Sequence, residues 1–174
     1  MKKQKISAKT VALLAMMIAL ALVFSYVETL IPINFGIPGV KLGLANLVIV
    51  AALYLIGGKE AFLVSVVRIF LSGFMFGNLA SIMYSLAGGL LSLAVMLILK
   101  KTDKLSILAV SVLGGICHNI GQLIVAILVV ENLKLIFYVP VLLISGFVTG
   151  LLIGIVSRVI LPAVRRAYAA DGSN

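Results

Sequence analysis

Acidic residues are scarce in this chain. Only 5 of 174 residues are Asp or Glu, against 14 Lys and Arg, and charged residues of both signs make up 11%. Soluble domains are about a quarter charged and about half apolar, whereas this chain is 63% hydrophobic with a mean hydropathy of +1.31. So few polar groups cannot clothe a surface in water, which excludes an ordinary soluble fold. A bilayer removes that demand, because lipid-facing side chains can be apolar. The composition reads as an all-α integral membrane protein.

Other shortages exclude particular chemistries. The single cysteine, Cys117, lies inside an apolar run, so no intrachain disulfide and no metal cluster is expected. The single histidine, His118, is its sequence neighbour, and adjacent residues point apart on a helix, which argues against a Cys–His nucleophile pair. No G-x-x-x-x-G-K-[ST] loop occurs, so the chain does not cradle ATP in the P-loop manner. The only aspartates are Asp103 and Asp171, both in expected cytoplasmic segments. Clustered aspartates that would hold magnesium and pyrophosphate in a prenyl-transferring enzyme are therefore missing. Autonomous enzymatic activity is not expected, nor a catalytic residue, a metal or a cofactor. The net charge of +9 would suit nucleic acid, but the basic residues lie at the ends of apolar runs and not along one polar face. They are assigned to lipid headgroups and topology, and no nucleic-acid partner is expected.

Six apolar runs approach the ~20 residues that a membrane-crossing helix needs. They cover roughly 10–31, 42–56, 60–76, 79–99, 105–130 and 136–161, with Pro162 closing the last. The first exceeds a signal-peptide core and lacks a small-residue cleavage pattern, so it reads as a retained span. A connection over 32–39, rich in Pro and Gly, follows it. The second and third runs are short, which leaves room for a tilted hairpin or a partly broken helix. With the N-terminus inside, the inner segments hold Lys2, Lys3, Lys5, Lys9, Lys59, Lys100, Lys101, Lys104, Arg158, Arg165 and Arg166, and the outer loops only Lys41 and Lys134. The positive-inside rule then predicts six spans, with both ends cytoplasmic. The whole chain, 1–174, reads as one membrane domain with short basic tails at 1–9 and 163–174.

Polar residues within the spans are few enough to follow one by one. Arg68 lies near the middle of the third run, where a charge needs a partner or a wet cavity. A structural ion pair and an anion-binding residue are both open readings. His118, Asn119 and Gln122 crowd one turn of the fifth run, beside Gly114 and Gly121. Interhelical hydrogen bonding accounts for such groups at about 0.6 kcal/mol each; three in one turn favours a site. Glu28, Lys41, Asn46 and Tyr84, with Tyr26, Asn78, Ser81, Ser85 and Tyr138, fall between the membrane middle and the outer surface under this topology. A cavity open to the outside is the expectation, although interfacial Tyr and Asn explain part of the asymmetry. Small residues recur at spacings that permit close helix contact, in Ala8, Ala12, Ala15 and Ala19, in Gly73 and Gly77, and in Gly146, Gly150 and Gly154. Packing inside the bundle suits the last set. For the first helix, docking on another membrane subunit is an alternative.

The stretches PGVKLGLAN (38–46), ALYL (52–55), GKEA (58–61), Arg68, SLAGGLLS (85–92) and HNIGQ (118–122) resemble the Gx transporter family, whose members are often labelled heptaprenyl diphosphate synthase component I. The resemblance runs from the first helix to the sixth. That family in turn resembles the substrate-binding S components of energy-coupling factor (ECF) transporters. The likeness implies a six-helix capture protein in the bacterial cytoplasmic membrane. It would take a small, anionic or quinone- or isoprenoid-related compound from outside. It also implies docking through Ala12, Ala15 and Ala19 onto a transmembrane coupling subunit with two ATPases, which bind the ATP. On this reading Glu28, Lys41, Asn46, Arg68, Tyr84, His118, Asn119 and Gln122 line the pocket. The synthase label implies a second role, a non-catalytic membrane accessory in heptaprenyl diphosphate or menaquinone biosynthesis. A solitary secondary transporter is a third.

Overall fold

The computed structural model describes residues 8–31 and 43–170, without the side chains of Lys9 and of 167–170. The connection over 32–39, Lys41, and the basic residues Lys2, Lys3 and Lys5 lie outside the described residues. Runs of Leu, Ala, Val and Ile form helices here because hydrocarbon offers no partner for an exposed backbone amide, so each segment must satisfy its own. The helices are α1 Ala8–Leu30, α2 Asn46–Leu55, α3 Gly58–Phe76, α4 Leu79–Lys101, α5 Ile107–Val130 and α6 Val139–Ala170, with a 3-10 helix, Leu133–Tyr138, leading into α6. No strand occurs among the described residues.

Four stretches are long and apolar enough to cross a membrane: Thr10–Leu30, Leu79–Lys101, Ile107–Val130 and Leu133–Arg166. The other two helices differ. α3 has 19 residues but carries Lys59, Glu60 and Arg68. α2 has 10 residues, about 15 Å of helix, or half the hydrocarbon thickness. The chain begins α2 later than the run of apolar residues suggests because Gly43 adopts φ +84°, a left-handed conformation natural to glycine. The amides of Asn46, Leu47 and Val48 then bond carbonyls three residues back, which tightens the entry into the helix.

Local signals set several other ends. Asn78 and Ser81 form a reciprocal capping box at the start of α4, and the Ser106 hydroxyl accepts from the Ala109 amide at the start of α5. Pro162 does not end the last helix, contrary to the expectation from sequence; α6 continues to Ala170 and the basic stretch after 162 is helical. Proline deprives one carbonyl of its donor and strains the turn before it. Pro162 is exposed near the end of the bundle, where that carbonyl is not sealed inside packed protein.

The tightest packing joins α5 to α6 and α4 to α5, and glycines make it so. A Cβ on Gly150 would stand 2.7 Å from the Ser111 carbonyl oxygen, and one on Gly121 would stand 2.7 Å from that of Ala87. Gly146 and Gly154 press on the α5 backbone in the same way, so the α6 glycines serve packing within the bundle. α1 is attached differently. Its buried positions are Met17, Ala21, Ser25 and Glu28, a narrow line at helical spacing, and the rest of its surface is mostly exposed.

Charged side chains define one end of the bundle. There Lys100 Nζ donates to the Leu53 carbonyl at 2.6 Å and Arg165 Nη2 to the Tyr54 carbonyl at 2.9 Å, so α4 and α6 both supply cations to the C-terminal turn of α2. Cations are favoured at that pole of a helix dipole. Leu13 near the start of α1 and Val164 late in α6 border one groove close to this end, so the two termini of the bundle lie together. At the opposite end Tyr26 of α1 meets Phe76 of α3 edge to face, with ring centroids 5.5 Å apart.

Glycine packing gives a direct expectation. Gly150→Ala should destabilise the protein by about 1–3 kcal/mol, since its Cβ meets backbone that cannot rotate away. Thermal unfolding in detergent would register this as a lowered midpoint; an unchanged midpoint would show that α5 and α6 are not held at this separation.

Candidate functional site

Several polar residues of the helices lie on the faces by which α1, α3, α4 and α5 pack near the start of α2. On α3, Ser65, Arg68 and Ser72 share the buried face at spacings of three and four. On α4 that face carries Ser85, Gly88, Gly89 and Ser92, and on α5 it carries His118 and Gln122. Glycines let the neighbouring side chains press close against α4. The Cβ absent from Gly88 would lie 2.8 Å from Gln122 Cγ and 3.1 Å from His118 Cε1. The one absent from Gly89 would lie 3.4 Å from the Ser65 hydroxyl.

Arg68 is the central charge. Its residue surface is 3% exposed. Nη1 donates to the Ser25 hydroxyl at 3.5 Å, a long bond, while Nε and Nη2 have no hydrogen-bond partner. Glu28 supplies the opposite charge that acts on it, and Arg68 in turn acts on His118. Glu28 also accepts a hydrogen bond from the Gly43 amide, which fastens the entry of α2 to α1. The open face of Gly43 sits over the His118 ring; a Cβ there would stand 3.3 Å from Nε2 and 3.1 Å from Asn46 Nδ2. Glu28, Gly43, Asn46, Arg68 and His118 thus form one continuous set across four helices.

Gln122 is fully buried, and neither its amide oxygen nor its nitrogen has a partner. His118 touches the Gly88 backbone, but its Nδ1 makes no well-formed hydrogen bond. The Ser65 and Ser92 hydroxyls are likewise buried without partners. Most buried polar atoms in native proteins are paired, and leaving one unpaired costs about 1–3 kcal/mol. The guanidinium offers N–H groups, the amide both a donor and an acceptor, and the imidazole nitrogen either role. The arrangement suits a small molecule with an anionic group and further hydrogen-bonding atoms. Among the described residues, no three His, Cys, Asp or Glu side chains stand together to hold a metal.

Not every residue expected at this site joins it. Asn119 turns to α6, where Nδ2 donates to the Leu142 carbonyl at 2.8 Å. Adjacent residues sit about 100° apart on a helix, so His118 and Gln122 face α4 while Asn119 faces α6. Tyr84 is buried in an apolar cluster with Leu123, Ala126 and Leu142. Lys41 lies outside the described residues. Sequence reasoning missed Ser25, whose only signal was its place three residues before Glu28, and Ser65, Ser72 and Ser92, which reveal themselves only once α3 and α4 are packed. The two cavities described lie elsewhere. One runs between α1, α2 and α6, and the other lies at the basic end beside Lys59 and Lys101.

The family description "Heptaprenyl diphosphate synthase component I" matches residues 17–160, which holds every described member of the polar set. The chain belongs to that family. The family name marks its members as a component of a synthase. No curated protein and no solved structure matches the chain significantly.

A buried arginine beside one acid makes a testable pair. Glu28→Gln should destabilise the protein by about 3 kcal/mol, because it leaves the Arg68 charge uncompensated. Glu28→Gln combined with Arg68→Met should recover much of that loss. Denaturant titration of both variants in detergent checks the coupling; a double variant weaker than the single would mean the two side chains act independently.

Proposed function

We propose that the chain is the substrate-capturing membrane subunit of an ECF-type, ATP-driven uptake transporter. The observation that carries this reading is the set of buried, unpartnered polar atoms on Arg68, His118 and Gln122. An interior that keeps such atoms without protein partners is suited to receiving them from a ligand. In this reading Arg68, aided by Lys41, meets an anionic group of the substrate, while His118 and Gln122 orient its other polar atoms. Glu28 and Asn46 stand at the entry of α2, Asn119 fixes α5 against α6 behind them, and Tyr84 forms a wall.

The half-length α2 supports the same reading. Transporters place substrate beside discontinuous helices whose ends stop within the membrane, and α2 begins beside Glu28 and His118. Six crossings put the basic end in the cytoplasm of a bacterial cell and the start of α2 towards the outside. Ala12, Ala15 and Ala19 all lie on the exposed side of α1. They form the face that docks on a transmembrane coupling subunit, whose two ATPases bind the ATP this chain has no loop to hold.

The family name favours a second reading, a non-catalytic membrane accessory to prenyl diphosphate synthesis. Co-purification separates the two. Paired ATPases as partners support capture and transport, whereas a soluble aspartate-rich synthase supports the accessory role.

Mass spectrometry of ligand carried through purification should identify the substrate. That compound should raise the thermal midpoint of the wild-type protein, and Arg68→Ala and Gln122→Ala should each weaken its binding by tenfold or more, as expected for the loss of a hydrogen bond to a charged or buried group (about 1.5–3 kcal/mol). If neither substitution alters binding, the site assignment is wrong.

A further inference from the structure

The groove between α1, α2 and α6 lies apart from the polar set and has a different character. It holds about 230 Å3 and is lined by apolar side chains, among them Met16, Leu20, Val48, Leu55, Ile160 and Val164. The one polar residue in its wall is Ser157, whose hydroxyl is buried without a partner. The groove runs to the basic end, where Leu55 follows Tyr54 and Val164 precedes Arg165.

At that end two cations stand close together. Lys100 lies 4.9 Å over the Tyr54 ring and donates to Leu53, Arg165 donates to Tyr54, and the two charges repel each other. Asp103 is the acid that acts on Lys100, so two positive charges face one negative charge. Each cation donates one hydrogen bond to α2, while a lysine has three N–H donors and an arginine five. The free donors suit an anion that bridges the two. Basic pockets between membrane helices at the cytoplasmic face bind phosphate headgroups.

We propose that this groove is a binding site for one anionic phospholipid of the surrounding bilayer, with an acyl chain against Met16, Val48 and Ile160 and its phosphate between Lys100 and Arg165. The charge pair selects the headgroup, and the groove supplies affinity without selecting it. Such a lipid links the ends of α2, α4 and α6 by relieving the repulsion between Lys100 and Arg165. The site is independent of the transport reading and stands or falls without it.

The test uses the full chain in detergent, delipidated and then titrated with phosphatidylglycerol or phosphatidylcholine of matched chains, with native mass spectrometry reporting occupancy. Two basic contacts predict a preference for phosphatidylglycerol of about 30-fold. Lys100→Gln with Arg165→Gln should bring that preference close to unity. Because this variant also removes two caps from α2, Ala51→Phe, at a half-buried position of the groove wall, provides a second arm that leaves them in place. Filling the groove should weaken both lipids and leave their ratio unchanged. Glycerophosphate without chains should not compete. The proposal is overturned if the wild type shows no headgroup preference, if the preference survives loss of both cations, if Ala51→Phe leaves binding intact, or if glycerophosphate or a polyprenyl phosphate displaces the phospholipid at equal concentration.

Discussion

A charge inside a membrane protein constrains everything within reach of it, and in this bundle that charge is Arg68. At the centre of a membrane helix an arginine costs about 2.5–3.5 kcal/mol on insertion scales, so it must face protein and find compensation there. Compensation comes from α1, through Ser25 and the charge of Glu28. These two residues complete the line of Met17 and Ala21 along which α1 is buried. The attachment of α1 to the bundle is therefore partly electrostatic. Its upper half is held by the partners of an arginine, its lower half by small and flexible apolar residues.

Glu28 extends this constraint to α2 by accepting the Gly43 amide. A helix of apolar residues has no reason of its own to stop after 10 residues, and nucleating a helix is costly. Here both ends are fixed from outside. A carboxylate holds the entry, Gly43 turns left-handed over the His118 ring, and Lys100 and Arg165 occupy the last carbonyls. α2 depends on its neighbours more than they depend on it. The glycine-lined association of α4, α5 and α6 involves backbone contacts throughout and forms the firmer part of the molecule.

The sequence made much of this legible, and the limits have physical causes. Hydropathy located all six helices, because a low-polarity solvent leaves the chain few alternatives. It overestimated α2, since apolarity does not report the φ of Gly43, and it ended α6 at Pro162, since a proline at an exposed position breaks less than one in a packed interior. Arg68, His118 and Gln122 were recognisable as unusual from position alone, and each keeps a buried polar atom without a partner. Asn119 was grouped with them by spacing from Gln122, but a residue's direction is fixed by where the neighbouring helices lie. Those crossings depend on glycines meeting backbone, a property of pairs of helices that a single sequence leaves open. The place of Tyr84 was hidden for the same reason, its ring being taken into the cluster around Leu123.

α2 separates two environments of opposite character. Its entry, with Gly43 and Asn46, borders the polar set, and its flank, with Leu47, Val48, Ala51 and Leu55, borders the apolar groove. A helix of 10 residues is stiff over about 15 Å, so it cannot bend between these two surfaces. Any group that draws Gly43 and Glu28 towards Arg68 must tilt α2 about the cations at its other end, and the tilt changes the width of the groove against α1 and α6. Interiors packed to native density do not absorb such a displacement locally. The polar set and the apolar groove are therefore joined through one short helix.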